Sequence, residues 1–501
     1  MASTTIELTD LAATARFAED VSLALKVGDC LCLSGDLGAG KSTFARALIR
    51  AVADDPDLEA PSPTFTLVQS YQLRLPIAHL DLYRIGAADE LDELGLDDAL
   101  NDGVALVEWP EKALDRLPRN RITVRLDGVG DSRTVTVSGP EEFMARLERS
   151  RAARRFLEQA DLELAARRHL QGDASTRTYE SIRPVQGAPL ILMNAPRQPD
   201  GPPIRDGLPY SQIAHLAEDV IPFVAIARWL RAEGFAAPEI LAEDLDQGFL
   251  LIENLGSEGI LDDQGCPDPE RYGFAIDCLA RLHTKAPPDA GLPVGHQLHL
   301  VPAYDSRAML IEVELLTAWY LPEYSDGPVT EPQRQQYLDL WGDLIKGLEK
   351  SEKSLVLRDY HSPNLIWRDE RSGFDRLGII DFQDAMIGPS AYDVASLCQD
   401  ARVTVEPDMA EELLDRYVAA RRAANQDFVE AGFREAYAIM AAQRAAKILG
   451  IFVRLNVRDG KPGYLRHLPR MEAYIAKSLA HPILHPLRSW FAKAGIGLTE
   501  S

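Results

Sequence analysis

The sequence of 501 residues predicts an α/β domain followed by an α+β domain whose C-terminal part is largely helical. A glycine-rich loop lies between a short apolar run at 28–33 and a segment with helical periodicity, as in a strand-loop-helix unit. Two acids follow apolar runs that end near residues 357 and 380. Apolar residues then repeat at a spacing near 3.6, which indicates core helices over 271–283, 307–320, 334–350, 408–424 and 433–453.

Composition and charge narrow the class of protein. The chain is 46% hydrophobic and 26% charged, as in ordinary globular proteins, and its formal net charge is -24. Such an acidic surface disfavours direct binding to nucleic acid or to an anionic membrane. The five scattered cysteines favour a reducing compartment, and buried thiols are favoured over a metal pair at Cys30 and Cys32. The N-terminus lacks the pattern of a signal peptide and no apolar run has the length of a membrane span, so we expect a cytoplasmic protein.

The glycine-rich loop satisfies the pattern G-x-x-x-x-G-K-[ST] in full. Its glycines allow backbone N–H groups to surround phosphates, and the following helix adds the positive end of its dipole. Lys41 is expected to reach the β- and γ-phosphates of ATP, and the Ser42 hydroxyl to bind Mg²⁺. The residues expected to bind ATP here are Gly35, Asp36, Leu37, Gly38, Ala39, Gly40, Lys41, Ser42 and Thr43.

Four further residues extend this predicted site. Thr64 lies in a turn-prone segment and is a candidate for the metal and γ-phosphate region. Asp81 and Glu108 end apolar runs; Asp81 is a candidate Mg²⁺ ligand, and Glu108 is a candidate catalytic residue that positions water. Trp109 could stack on the base of ATP. Taken singly, each of these residues has an ordinary structural interpretation.

Together, the stretches GDLGAGKST, SPTFTLV, HLDLYRI and LVEWPE resemble the bacterial TsaE family, the ATPase subunit of the tRNA threonylcarbamoyladenosine (t6A) machinery. The resemblance implies an α/β P-loop NTPase domain over residues 1–150 that binds and hydrolyses Mg–ATP. It also implies that the domain works with the transferase subunits of that machinery rather than by binding tRNA alone. The alternative is a binding or assembly subunit with little turnover of its own.

Residues 141–168 are charged, rich in alanine and leucine and free of glycine and proline, which predicts a helix joining this domain to a second one at 151–501. In the second domain, Ser175, Thr176 and Arg177 lie in a turn-prone segment suited to covering ATP phosphates. The strand predicted at 190–193 lacks the lysine that kinase-like folds place there, and Arg177 is the candidate replacement. Glu253 ends a strand where a kinase hinge would meet adenine.

Asp359, Asn364 and Asp381 have the spacing that phosphoryl transfer requires. Asp359 is the candidate catalytic base, and Asn364 and Asp381 are candidate Mg²⁺ ligands. Leu357 and Gln383 stand where protein kinases have histidine and glycine. The stretch resembles the aminoglycoside-phosphotransferase-like small-molecule kinases, which implies a protein-kinase-like α+β phosphotransferase domain with a largely helical C-terminal lobe. Asp393 is expected to anchor the catalytic loop.

Acids and aromatic rings near residues 304–320 have the mixed character of sugar sites, with Tyr304, Glu314 and Trp319 as candidate substrate contacts. The stretches GDASTRTYE, PAYD, ELLTAWYLPEY, LRDYHSPNLIW and IIDFQDAMIGPSAYDVASLCQDAR resemble the anomeric kinases of N-acetylmuramate and N-acetylglucosamine. This resemblance implies ATP-dependent phosphorylation at C1 of an amino sugar in cell-wall recycling. Two alternatives stay open: a kinase for an aminoglycoside, choline or another small alcohol, and a non-catalytic nucleotide-binding module.

Overall fold

The computed structural model of the protein describes residues 2–128, 130, 132–170, 177–325, 327 and 329–494. Contacts between residues divide the chain into two compact units, Met1–Asn194 and Ala195–Ser501. This division lies later in the chain than the domain boundary predicted at residue 150, because the helix and three strands that follow that boundary group with the first unit. The functional boundary at residue 150 stays a prediction.

The first unit is built on a mixed seven-stranded sheet with the order β1-β7-β6-β2-β5-β4-β3. Apolar side chains pack against the sheet in two separate buried clusters. The elements are β1 (Ala2–Leu8), α1 (Leu11–Ala24), β2 (Cys30–Ser34), α2 (Lys41–Ala53), β3 (Val68–Tyr71), β4 (Ile77–Asp81), α3 (Glu90–Glu93), α4 (Leu96–Asp102), β5 (Val104–Glu108), β6 (Ile122–Asp127), β7 (Arg133–Gly139), α5 (Glu141–Gln159), β8 (Ala166–Leu170), β9 (Thr178–Arg183) and β10 (Leu190–Asn194).

The strand order brings the predicted acids of the first site together. Strand β5 is parallel to both β2 and β4, so the carboxyl ends of all three lie at the same edge of the sheet. Glu108 at the end of β5 is in register with Leu33 on one side and with Asp81 on the other. The phosphate-binding loop leaves β2 at this edge, which is where open α/β sheets bind their ligands.

The helix predicted over 141–168 is wrong in its last part. Helix α5 ends at Gln159, and residues 166–170 form strand β8, which pairs with β9 in an antiparallel ladder. Arg167 faces a buried site from β8, and its side chain is fully enclosed. This pairing and the ion contacts of Arg167 override the helix-forming composition of the segment.

Arg167 lies at the centre of a buried ion cluster. Its guanidinium donates to Asp20 Oδ1 at 2.6 Å, to Glu180 at 2.7 and 2.9 Å, and to the Ser150 carbonyl at 2.8 Å. Arg154 of α5 donates to the same Asp20 oxygen at 3.0 and 3.1 Å. Asp20 belongs to α1 and Glu180 to β9, so the cluster ties the beginning of the first unit to its last strands.

A second set of ion pairs lies at the C-terminal end of α2. Asp54, which caps this helix with a left-handed φ of 55°, accepts from Arg168 of β8 and, at 2.9 Å, from Arg183 of β9. Arg168 also donates to Glu19 at 2.7 Å. The helix that begins at the phosphate-binding Lys41 is therefore bound at its other end to β8 and β9.

The second unit combines short strands with a large helical part. Its elements are β11 (Pro203–Arg205), β12 (Leu208–Pro209), α6 (Tyr210–Ile213), α7 (Ile221–Ala232), β13 (Ile240–Asp244), β14 (Phe249–Glu253), α8 (Pro269–Leu282), β15 (Leu292–Val294), β16 (Gln297–His299), α9 (Ser306–Leu315), a π-helical turn (Leu316–Tyr320), α10 (Leu321–Tyr324), α11 (Glu331–Gly347), β17 (Lys353–Val356), β18 (Leu365–Trp367), β19 (Leu377–Ile379), β20 (Met386–Pro389), α12 (Ala391–Cys398), α13 (Pro407–Ala424), α14 (Glu430–Val457), α15 (Leu468–Leu479) and α16 (His485–Lys493).

The five predicted C-terminal helices are confirmed. Helix α14 is the longest of them, and by length and composition it also meets the criteria for a membrane span, a property that the sequence interpretation missed. In that window 89% of the residues are buried inside the protein, as expected for a core helix. It packs on α9, α12 and α15, and of these α9 and α12 also contact the predicted catalytic loop.

Candidate active sites

The loop between β2 and α2 has the shape of a phosphate cradle. Gly35 has a φ of 137°, and a Cβ atom there would lie 2.3 Å from the Leu126 carbonyl oxygen, so only glycine fits. Lys41 is almost fully buried; its Nζ donates to the carbonyls of Gly35 at 2.7 Å and Asp36 at 2.9 Å. The same ammonium lies 3.6 Å from the centre of the Trp109 ring. Trp109 therefore contacts the phosphate-binding lysine; the prediction that it stacks on a base is not tested by this contact.

Glu108 bonds directly to the hydroxyl that the sequence assigns to Mg²⁺. Ser42 Oγ donates to Glu108 Oε2 at 2.7 Å, and His79 Nε2 lies 2.9 Å from Glu108 Oε1. His79 and Glu108 are each only 1% exposed. Burial fixes the carboxylate beside the start of α2, so Glu108 is as well placed to bind a cation as to orient water.

Asp81 is held by the segment that contains Thr64. Its Oδ2 accepts from Ser62 Oγ at 2.8 Å and from Thr64 Oγ1 at 2.9 Å, while Oδ1 accepts from the Tyr83 backbone N–H at 3.0 Å. Thr64 thus lies beside the candidate metal ligand Asp81, and its own role at the metal and γ-phosphate stays a prediction. Ser62 is a member of this group that the sequence interpretation did not single out.

The catalytic loop of the second unit is fixed by a buried acid. Asp393 accepts from the backbone N–H groups of Leu357 at 2.6 Å and Arg358 at 2.9 Å, which confirms its predicted anchoring role. Burial raises the pKa of Asp393 to about 7, although these two hydrogen bonds act in the opposite direction. Arg358 has a φ of 75°, a strained conformation for an arginine, and the two bonds to Asp393 hold it there.

Asp359, Asn364 and Asp381 converge on one place. Asn364 Nδ2 donates to the backbone carbonyl oxygen of Asp359 at 2.9 Å and lies 3.4 Å from Asp381 Oδ2. Asp381, with a φ of 59°, also accepts from Gln383 Nε2 at 2.9 Å. Burial acts to raise the pKa of Asp359, but nearby positive groups, Lys447 foremost, bring that pKa below its ordinary value. The Asp359 side chain is therefore ionised at neutral pH, as a proton acceptor must be.

Both clusters suit Mg²⁺, which prefers oxygen ligands and is usually held by one or two carboxylates together with phosphates. The first cluster offers Ser42, Asp81 and Glu108, and the second offers Asn364 and Asp381. Within the described ranges, His, Cys, Asp and Glu side chains form no group of three that could hold a metal by themselves.

Comparisons with known proteins match both parts of the chain. A family model described as threonylcarbamoyl adenosine biosynthesis protein TsaE matches residues 8–135, and one described as phosphotransferase enzyme family matches residues 123–428. The chain belongs to both families. These matches confirm the predicted fusion, its fold classes and its classes of activity, a P-loop ATPase and an ATP-dependent phosphotransferase.

Three relatives illustrate the similarity. The N-acetylmuramate/N-acetylglucosamine kinase of Caulobacter vibrioides is 35% identical over 354 residues, covering 69% of this chain and 96% of that protein. The kinase of the same name from Pseudomonas putida is 33% identical over 308 residues, covering 60% and 80% of the two chains. The tRNA threonylcarbamoyladenosine biosynthesis protein TsaE of Rickettsia bellii is 37% identical over 121 residues, covering 24% and 83%.

The structure does not support two predicted sugar contacts of the phosphotransferase domain. Tyr304 is buried, and its hydroxyl bonds to Glu312, which is fully enclosed. Glu314 accepts from Arg205 at 2.6 and 2.8 Å and from Arg334 at 3.2 Å. Both side chains are thus used in internal polar contacts. Glu312 and Glu314 are buried because helix α9, which carries them, faces the core. Trp319 is half-buried in the π-helical turn and stays a prediction.

The four predicted ATP contacts of the phosphotransferase domain have different outcomes. Ser175 and Thr176 lie outside the described residues. Arg177 is half-buried just before β9, and its role stays a prediction. The Glu253 carboxylate lies 3.1 Å from Arg368 and 3.3 Å from Arg231, so it forms ion pairs at the end of β14.

Sequence reasoning missed the polar network behind the catalytic loop. Glu312 accepts from Arg358, from Tyr304 and, at 2.8 Å, from Gln443, and it lies 3.8 Å from Lys447. Despite complete burial, these partners keep the pKa of Glu312 below its ordinary value. The only sequence signal was an acid, a glutamine and a lysine on the apolar faces of α9 and α14, where charged residues are rare unless paired.

Proposed function

We propose that the chain is a bifunctional Mg–ATP enzyme. Its TsaE domain, with a functional boundary near residue 150, hydrolyses ATP in support of t6A formation in tRNA, together with transferase subunits. Its phosphotransferase domain, residues 151–501, transfers a phosphoryl group to the C1 hydroxyl of N-acetylmuramate or N-acetylglucosamine. The names and high coverage of the relatives support both assignments, and neither a non-catalytic module nor an aminoglycoside kinase is favoured. A cytoplasmic location fits both activities.

The observation that carries the kinase proposal is that Asn364 bonds to the backbone carbonyl of Asp359 and lies 3.4 Å from Asp381 Oδ2. Asp359 accepts the proton of the sugar hydroxyl as that hydroxyl attacks the γ-phosphorus of ATP. Asn364 and Asp381 would hold Mg²⁺, which neutralises charge on the phosphates. Gln383 and Asp393 keep Asp381 and the catalytic loop in place through their hydrogen bonds.

In the TsaE domain, Lys41 and the loop residues 35–43 would bind the phosphates. Ser42, Thr64 and Asp81 would hold Mg²⁺; the Asp81 carboxylate already accepts a hydrogen bond from Thr64. Glu108, which accepts a hydrogen bond from Ser42 at the start of α2, would position water for attack on the γ-phosphate. The acidic chain would act on tRNA through its protein partners rather than by direct contact.

Phosphorus NMR of the reaction product tests the kinase. The full chain is incubated with Mg–ATP and N-acetylmuramate, N-acetylglucosamine or an aminoglycoside, with the Asp359→Asn variant as the matched control. A sugar 1-phosphate made by the wild type alone is expected. Phosphorylated aminoglycoside without sugar product would refute the substrate, and turnover by neither would favour a nucleotide-binding module.

ATP hydrolysis with and without added transferase subunits tests the TsaE domain. The Asp359→Asn background removes phosphate release that depends on the kinase, and Lys41→Ala in that background gives the blank. Hydrolysis that rises with the subunits and is absent from the Lys41 variant supports the proposal. A rate that is equal in both variants would assign the domain to binding or assembly.

A further inference from the structure

A cleft of about 520 Å³ opens beside the metal-binding segment of the phosphotransferase domain. It is bordered by residues 211–222, by residues 297–302 and by Gln383 and Ala385. Its volume is in the range typical of small-molecule sites. The sequence interpretation did not assign any function to residues 211–222 or 297–302.

Two hydrogen bonds attach this cleft to the catalytic loop. Arg358, the residue before the proposed base, donates to the Ala214 carbonyl at 3.0 Å. Asp384 accepts from the Ala217 backbone N–H at 2.7 Å. Residues 215–217 line the cleft, and the segment 214–217 is thus fixed to both of the segments that carry the catalytic acids.

Gln383 connects the cleft to Asp381. Its Nε2 donates to Asp381 Oδ1, whereas its Oε1 is buried and has no hydrogen-bond partner among the described residues. The whole residue is only 7% exposed. A buried polar atom without a partner is costly, and a ligand hydroxyl or amide N–H in the cleft would remove that cost.

His299, which lines the cleft, carries a second unsatisfied atom. Its Nε2 is buried, and within the described part of the chain it has no hydrogen-bond partner. Burial lowers the pKa of His299, with Asp219 acting in the opposite direction, so the ring is neutral near pH 7. A neutral imidazole either donates or accepts one hydrogen bond at this atom, which suits a sugar hydroxyl.

The charged residues that line the cleft are all acidic. Glu218 accepts from Ser211 Oγ at 2.9 Å, and Asp219 accepts from the Ile221 backbone N–H at 2.9 Å. Among the described residues, the lining contains no lysine or arginine. Carboxylates accept hydrogen bonds from sugar hydroxyls, but they repel a ligand that carries its own carboxylate. N-acetylmuramate has such a group on its lactyl ether, and N-acetylglucosamine does not.

We propose that this cleft is the acceptor-sugar site, with Gln383 and His299 as sugar contacts, and that its acidic lining selects the neutral N-acetylglucosamine over N-acetylmuramate. The inference rests on the proposed sugar-kinase function and specifies where the sugar binds. It replaces Tyr304 and Glu314, whose polar groups are used internally, as the predicted contacts.

Steady-state kinetics of the full chain with both sugars tests the site. His299→Ala should raise the KM for N-acetylglucosamine roughly tenfold and leave the KM for ATP unchanged, as expected for the loss of one buried hydrogen bond. His299→Gln, which keeps a hydrogen-bonding group, should recover part of the affinity. His296→Ala is the matched control, because His296 lies in the same hairpin but is exposed and outside the cleft. Sugar KM values equal to wild type in both His299 variants would overturn the site.

The charge selection has its own test. The wild type should have a higher kcat/KM for N-acetylglucosamine than for N-acetylmuramate, and Asp219→Asn should narrow the ratio severalfold by removing one repelling charge. A wild-type preference for N-acetylmuramate, or a ratio unchanged in Asp219→Asn, would overturn the selection. A wild type that phosphorylates neither sugar would refute the proposed function itself and the sugar assignment with it.

Discussion

Replacing Arg167 with methionine should severely destabilise the first unit. The substitution keeps most of the side-chain volume but removes the only cation that bonds to both Asp20 and Glu180 within the described residues. Both residues are more than 90% buried, so water cannot replace the hydrogen bonds that their carboxylates lose. Breaking a buried ion pair by removing one partner typically costs about 3–5 kcal/mol. Arg154 still contacts Asp20, and we therefore expect the lower end of that range for the free energy of unfolding.

Urea unfolding followed by circular dichroism measures this change. Arg155→Met is the matched control, because Arg155 of helix α5 is about half exposed and pairs with an exposed Glu148 at 2.6 Å. Surface pairs of this kind contribute about 0–1 kcal/mol. A loss below about 1 kcal/mol for Arg167→Met, or equal losses for the two variants, would refute the view that the cluster stabilises the unit.

The pH dependence gives the prediction a second signature. Burial raises the pKa of Asp20 even with Arg167 present, and without that arginine the pKa should rise further. A carboxyl with a raised pKa in the folded state binds a proton on folding, so its contribution to stability is present at low pH and is lost as pH rises through the folded-state pKa. The deficit of Arg167→Met should therefore be smaller at about pH 5 than at about pH 8.

Three further predictions concern the active sites. Lys41→Ala should abolish ATP turnover by the TsaE domain and leave sugar phosphorylation intact, since it removes only the first phosphate clamp; loss of both activities in a folded variant would contradict two independent sites. Glu108→Gln should keep the contact with Ser42 but lower ATP hydrolysis, in the presence of the transferase subunits, by roughly 10²-fold, and wild-type hydrolysis would exclude a catalytic carboxylate. Asp359→Asn should lower the kcat of sugar phosphorylation by about 10²-fold or more, and near-wild-type turnover would identify another base. Because the pKa of Asp359 lies below its ordinary value, the wild-type kcat should show no acid limb from this group above about pH 5.

The parts that could be predicted from the sequence are those encoded by contiguous residues. The loop from Gly35 to Ser42 and the spacing of Asp359, Asn364 and Asp381 each fix a local geometry, and the structure brings each set together. The core helices followed from their apolar periodicity in the same way. Asp393 was expected to anchor the catalytic loop, and its two backbone contacts bear this out.

What could not be predicted depends on contacts between distant residues. Residues 166–170 form a strand rather than the predicted helix, and in this strand Arg167 bonds to Asp20 and Glu180. No local sequence pattern predicts these contacts between distant residues. Likewise, Glu312 and Glu314 look alike on one helix, but one bonds to the catalytic-loop arginine and the other to Arg205 and Arg334. Side-chain direction, set by tertiary packing, decided which acids were available to a ligand.

The ion pairs around Asp20 and Asp54 also limit where the chain could be divided into two separate polypeptides. A chain that ended at residue 150 would keep Glu19, Asp20 and Asp54 but lose Arg154, Arg167, Arg168 and Arg183, their partners. The fragment that began at residue 151 would carry those arginines without their acids. To keep these ion pairs on one polypeptide, a division of the chain would have to follow Arg183, and it would leave strands β8 and β9 with the ATPase. These ion pairs therefore cross the predicted functional boundary at residue 150 and join the TsaE-like part of the chain to the segment that follows it.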